Sequence, residues 1–197
     1  MLYKVAVIGP ESTGKSTLCA QLAQHFNAEW CPEFAREYLV TYGKEYSYED
    51  LLTIAMGQAA LEDEFVQTTA SHWSLSASGT WVNNVSMATQ PYPPLLFIDT
   101  DMYVMKVWCE YVYRKCHQYV LDEIVQRKYD LYLLCDIDAP WVRDDLREYP
   151  SEGPRQELYQ IYKDLLINQS VPWVNISGSY DERLTRAVTA VNGLIKG

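Results

Sequence analysis

The chain has 197 residues, of which 48% are apolar, and a formal net charge of −10. That composition suits one folded domain with a sizeable core and excludes a disordered chain. The acidic balance disfavours non-specific nucleic-acid binding, which rests on neutralising phosphates, and no apolar run reaches the roughly 20 residues that span a membrane.

Residues 2–8 are apolar at nearly every position, as a parallel strand buried on both faces is. The strand runs into GPESTGKST, Gly9 to Thr17, with the spacing G-x-x-x-x-G-K-S. Between a strand and a helix this is a P-loop, whose backbone amides surround phosphates while the lysine reaches the outer ones. Gly9, Glu11, Ser12, Thr13, Gly14, Lys15, Ser16 and Thr17 are therefore candidate contacts to ATP. Lys15 would reach its β- and γ-phosphates and Ser16 would ligate Mg²⁺. Leu18, Leu22 and Phe26 recur at helical spacing and predict a helix over 15–26.

A weak strand, 27–31, precedes PEFARE, Pro32 to Glu37. Glu33, Arg36 and Glu37 stand at i, i+3 and i+4, on one side of a short helix expected over 33–42. Beside a γ-phosphate, a carboxylate and an arginine could orient an acceptor hydroxyl and take its proton. On a plain helix surface the same residues would form a solvated ion pair. Ser47 and Asp50 suggest a capping box for a helix running to about residue 69. Residues 72–94 break the rhythm with Ser, Asn, Thr, Gly and Pro around Trp73, Trp81 and Tyr92. They read as an inserted surface loop, with room for a small hairpin, either packed on the domain or offered to a protein partner.

Residues 95–98 form the next expected strand, and LLFIDTD carries it to Asp99 and Asp101. A carboxylate at the C-terminal end of such a strand is where a P-loop protein holds Mg²⁺, so Ser16 and Asp99 are the candidate metal ligands. Asp101 either faces the same cleft as a catalytic group or caps the next helix. The stretch 103–127 is largely helical with a break expected near His117, and 131–135 is a buried strand. Cys116-His117 has no second ligand pair at zinc spacing. Residues 136–155 set Arg143, Arg147 and Arg155 among carboxylates near the phosphate end. They read as a lid whose arginines stabilise transferring phosphoryl charge, or as a polar surface loop. A helix over 154–169, a strand over 173–176 and a helix over 181–195 complete the chain. SGSYDER, between the last two, could bring Gly178 and Tyr180 to a purine.

The alternation predicts a single α/β domain over 1–197. It is expected to be a P-loop NTPase fold, a five-stranded parallel sheet in the order 2-3-1-4-5 with helices on both faces. Five cysteines, an odd number with no CxxC and no secretory leader, fit a reducing cytoplasm.

Taken in order, GPESTGKS, EFAREY, FIDTD, KCH, PWVRDDLR and SYDER resemble the ribosylnicotinamide kinase domain of the NadR type and related small P-loop ATPases. The resemblance runs nearly end to end. It implies Mg²⁺-dependent phosphoryl transfer from ATP to the 5′-hydroxyl of a small nucleoside, giving nicotinamide mononucleotide from nicotinamide riboside. It also implies acceptor-side roles for Glu33, Arg36 and Asp101. Two family aromatics fall on Pro32 and Asp63 here, so ring stacking is expected from Trp30, Phe34 or Tyr38, or is absent. Two other readings stay open: a P-loop ATPase or nucleotide-binding switch acting on a protein through residues 72–94, and a kinase of another small hydroxylated metabolite.

Overall fold

The structure, a computed structural model, describes residues 1–86, 88–141, 146, 149 and 151–196. In chain order its first elements are β1 (Tyr3–Ile8), α1 (Lys15–Phe26), β2 (Glu29–Cys31), α2 (Phe34–Tyr42), α3 (Tyr48–Ser71), β3 (Trp73–Leu75), β4 (Trp81–Asn83) and β5 (Ala88–Gln90). There follow β6 (Leu95–Asp99), α4 (Met102–Tyr113), α5 (Gln118–Gln126), β7 (Leu131–Cys135), α6 (Glu152–Ile167), β8 (Trp173–Ile176) and α7 (Tyr180–Lys196).

The main sheet runs β2-β6-β1-β7-β8, with every neighbouring pair parallel. Numbered among themselves, these strands stand in the order 2-3-1-4-5, as expected for a P-loop fold. Alternation along each strand sorts the core into two layers. Val5, Val7, Phe97 and Leu133 pack with Leu18, Leu22 and Phe26 of α1 and Ala187 and Val191 of α7. Ala6, Ile8, Leu96, Ile98 and Leu134 pack with Val104 and Val107 of α4 and Leu158, Tyr162 and Leu166 of α6. Because both faces are covered, the central strands are apolar except for Lys4 near the start of β1 and Asp99 at the end of β6, instead of alternating with polar residues.

Local chemistry sets the boundaries. Ser47 and Asp50 form a complete capping box at the start of α3, each side chain meeting the other's backbone amide. Asp101 caps α4 by accepting from the amides of Tyr103 and Val104 at 3.0 and 3.2 Å. The 72–94 insertion has more order than a surface loop. β3, β4 and β5 form a three-stranded antiparallel sheet, and the Tyr92 ring meets Phe26 edge-on at 4.9 Å. His72 and Thr69 both bond the Glu29 carboxylate at 2.8 Å, tying the start of the insertion to β2. Strands of three residues are too short to show a periodicity in sequence. No helix among the described residues is long and apolar enough to cross a membrane. All five cysteines are free thiols.

One contact locks the P-loop to the sheet. Gly9 adopts φ +140°, and a Cβ built there would lie 2.7 Å from the Cys135 carbonyl oxygen at the end of β7. Both the backbone conformation and the space demand glycine. Gly9→Ala is expected to destabilise the fold by on the order of 3 kcal/mol through strain and overpacking, read as a lower urea midpoint at unchanged slope. An unchanged midpoint would contradict this packing.

Candidate nucleotide and acceptor site

Ligand sites in open parallel sheets form at the C-terminal ends of the strands, and the functional side chains collect there. A cavity of about 470 Å³ opens at that edge. One end is the P-loop, with all of Gly9–Thr17 in its wall. Gly9, Ser12 and Gly14 have φ of +140°, +58° and +81°, which folds the loop into a cradle of inward-turned amides. Gly14 is the N-cap of α1 and offers no side-chain cap, so the first amides of that helix remain for an anion. In the loop, the Thr13 hydroxyl and the Lys15 ammonium both donate to the Pro10 carbonyl, at 2.7 and 3.1 Å.

Asp99 ends β6 directly across from Val7 of β1, which brings its carboxylate beside the P-loop. It is fully buried, and neither of its oxygens has a hydrogen-bond partner among the described residues. Ser16 and Thr100 hydroxyls lie near it without reaching bonding geometry. Burial raises its pKa, with the charge of Lys15 the main opposing influence. Thr100, the next residue, has φ +74°, a costly conformation for a β-branched side chain. Strain of this kind is concentrated at functional sites.

The opposite wall comes from β2 and α2. Trp30, Pro32, Glu33, Ala35, Arg36 and Leu39 all line it. Glu33 is the N-cap residue of α2 but makes no side-chain cap bond, so its carboxylate is not tied to the helix. Burial raises its pKa; Lys15 and then Arg36 pull it down, while Asp99 pushes it up. The far end is aromatic and apolar, built by Val104, Val107, Trp108 and Tyr111 of α4 and by Leu158 and Tyr162 of α6. Leu146 and Tyr149 also line it. The Tyr149 amide donates to the Glu11 carboxylate, a contact between this residue and the P-loop.

The structure thus brings Gly9–Thr17, Glu33, Arg36 and Asp99 to one cavity and leaves other candidates outside its wall. The Asp101 carboxylate is the cap of α4, buried beside Tyr132, instead of an acceptor-side group in the cleft. Arg155 is buried and donates to the carbonyls of Ile137 and Ala139 at 3.3 and 3.5 Å, anchoring the start of α6 to the turn after β7. Arg143 and Arg147 lie outside the described residues. Gly178 and Tyr180 are not in the wall, although Tyr180 lies 3.7 Å from where a Cβ on Gly14 would stand. Of the aromatics expected to stack a ring, only Trp30 faces the cavity. Phe34 lies against α3 at Gly57, where a Cβ would come within 2.1 Å of its ring, and Tyr38 bonds Asp50 at 2.6 Å. Asp63 is paired with Arg127 at 2.7 Å and has no place in the cavity wall. The residues that sequence reasoning missed are chiefly those of α4. Val104, Val107, Trp108 and Tyr111 fall at i, i+3, i+4 and i+7, a helical stripe directly after the Asp99 strand.

A family model described as an AAA domain matches residues 4–183. The chain belongs to that family. It is 30% identical over 196 residues to the trifunctional NAD biosynthesis/regulator protein NadR of Escherichia coli (strain K12). The aligned region takes in 97% of this chain and 42% of that protein, so the chain spans less than half the length of this curated relative. A crystal structure of NadR protein in complex with NR superposes with a TM-score of 0.70 at 22% identity, covering 99% of this chain and 50% of that one. Thymidylate kinase from Ehrlichia chaffeensis superposes at 0.61 with 10% identity over 98% of both chains. At those identities the two structural likenesses establish the fold, a P-loop sheet with helices on both faces.

Asp101 gives the site region a pH signature. Burial is the chief cause of a carboxyl pKa raised from 3.8 to about 7. The folded carboxyl keeps its proton over a range in which the unfolded one has lost it. Its stabilising contribution is therefore complete below about pH 4 and is lost as pH rises towards 7. Asp101→Asn keeps a capping side chain without the charge. Urea titrations are expected to show that the variant loses less stability than the parent between pH 4 and 7, by up to about 4 kcal/mol. Parallel pH profiles would contradict the buried cap.

Proposed function

We propose that the chain is an ATP-dependent nucleoside kinase that transfers the γ-phosphate to a 5′-hydroxyl, with nicotinamide riboside as acceptor and nicotinamide mononucleotide as product. The observation that carries this reading is the single cavity in which the P-loop faces Glu33 and Arg36 and then continues into an aromatic chamber. A phosphate grip alone would serve any ATPase. A carboxylate in the same cavity, with an aromatic and apolar chamber beyond, suits a second small substrate.

In this reading the loop amides and Lys15 hold the β- and γ-phosphates, and Lys15 leaves the Pro10 carbonyl to do so. Gly178 and Tyr180, beside the loop, contact the purine. Mg²⁺ fits the remaining groups. Two buried, unpartnered Asp99 oxygens beside the Ser16 hydroxyl suit a hard cation that takes few protein ligands and keeps waters and phosphate oxygens. No cluster of three or more acidic, His or Cys ligands occurs among the described residues, in keeping with that sparse mode. When bound, the ion would neutralise charge on the phosphates.

Glu33 accepts the proton of the attacking 5′-hydroxyl. Burial raises its pKa towards the working range of a general base, and the charges of Lys15 and Arg36 oppose that rise. Arg36 orients the acceptor or the transferring phosphoryl group. Arg143 and Arg147 act from the lid on phosphoryl charge, and Arg155 holds the lid's base. Trp30, Trp108 and Tyr111 supply the flat faces that the helix positions of Phe34 and Tyr38 do not. A nicotinamide riboside ring is cationic, and aromatic faces near carboxylates favour a cation over a neutral base. In this reading the enzyme acts in NAD salvage in the cytoplasm, a reducing compartment that the five free thiols suit.

Glu33→Gln separates the roles. Nucleoside-dependent ADP release is expected to fall by on the order of 10²–10⁴, while ADP affinity by calorimetry stays within about twofold. A folded Glu33→Gln variant with undiminished transfer would remove Glu33 from the reaction. If the parent protein binds ATP tightly but no nucleoside in a panel stimulates turnover, the switch reading replaces the kinase.

A further inference from the structure

Arg183 stands in the first turn of α7, where a cation opposes the helix dipole. It is 4% exposed, deep beneath the loops at the strand ends. Its guanidinium reaches three separate loops. One terminal nitrogen donates to the Thr13 carbonyl of the P-loop at 3.0 Å. The other donates to the Asp136 carbonyl after β7 at 3.0 Å and to the Asp138 carboxylate. Nε donates to the Gly178 carbonyl after β8 at 2.9 Å. Asp138 closes the ring by accepting from the Gly178 amide at 2.6 Å. Only a planar fork with fixed donor directions satisfies acceptors on three loops at once, and an ammonium cannot.

The bond to Thr13 has a directional consequence. In a planar trans peptide the carbonyl and the following N–H point opposite ways. A Thr13 carbonyl held down towards Arg183 therefore turns the Gly14 N–H the other way, into the phosphate cradle. Gly14 sits at φ +81° with no side chain to fix the peptide plane. The setting of that amide depends on what the Thr13 carbonyl bonds.

We propose that Arg183 is a positioning residue for nucleotide binding. It sets the Thr13–Gly14 peptide for the β-phosphate. The inference rests on the nucleotide half of the reading above and is independent of the acceptor. A purely structural arginine would affect the fold, or all ligands alike. A positioning arginine affects the phosphates selectively.

The test uses the full chain, with ADP and adenosine as probes in calorimetric or competition titrations. Arg183→Lys keeps the charge and loses the fork. It is expected to weaken ADP at least about tenfold while adenosine stays within about twofold, at a thermal midpoint close to the parent's. Should that variant fold poorly, Asp138→Asn keeps an oxygen to accept from the Gly178 amide but withdraws the carboxylate charge from the guanidinium, and is expected to weaken ADP about threefold with adenosine within about twofold. Unchanged ADP affinity in either folded variant, or parallel losses of ADP and adenosine, would overturn the positioning role. A parent protein that binds no ADP would instead overturn the nucleotide reading on which it stands.

Discussion

The cleft depends on one register. β1 and β6 lie parallel at the centre of the sheet with Val7 opposite Asp99. Since the P-loop starts at the residue after Ile8, this pairing fixes the carboxylate beside the phosphate cradle. A slip of one residue would turn Asp99 to the other face and break both core layers, because every side chain on the strand would change sides. The apolar packing of two covered faces therefore does more than stabilise the fold; it determines where the charge of Asp99 stands. The same packing excludes water from that charge, so its pKa rises and Lys15 becomes its chief compensating influence.

From that anchor the cavity divides by element. Loops at strand ends bring the charged groups, as backbone at the edge of a parallel sheet can approach a ligand without losing sheet bonds. Helices bring the apolar wall: α4 and α6 lie on one sheet face, and they line the cavity with Val104, Val107, Trp108 and Tyr111 and with Leu158 and Tyr162. The result is a polar end suited to phosphate and an aromatic end suited to a flat ring. Arg183 and Arg155 are buried cations that bond loop carbonyls beside this cavity, one under the P-loop and one at the turn after β7. In both cases burial is tolerated because backbone carbonyls are oriented to receive the charge.

Much of this was legible in the sequence, and the reasons differ by residue. The P-loop is a contiguous motif whose chemistry is local, so Gly9–Thr17 needed no tertiary information. The central strands could be read because burial on both faces leaves an unbroken apolar run. Asp101 shows a limit: an N-cap and a cleft carboxylate have the same sequence environment, and only the paired amides of Tyr103 and Val104 tell them apart. The chamber of Trp108, Tyr111 and Tyr162 was hidden because an aromatic stripe on a helix ordinarily means core. Phe34 illustrates the converse, since the space beside Gly57 draws its ring into helix packing and away from the cavity. Arg183 ends the SGSYDER stretch, but its partners are as far as 170 positions away in the chain, a separation no local pattern encodes.

The central claim is that one cavity holds both a phosphoryl donor and a small hydroxylated acceptor and joins them directly. Phosphorus NMR of the protein with ATP, Mg²⁺ and nicotinamide riboside tests it most simply. The account predicts a new phosphomonoester resonance split by the 5′-methylene protons, growing in step with ADP and without accumulation of inorganic phosphate. Inorganic phosphate and ADP as the only products would contradict it, for the cavity would then pass the phosphoryl group to water.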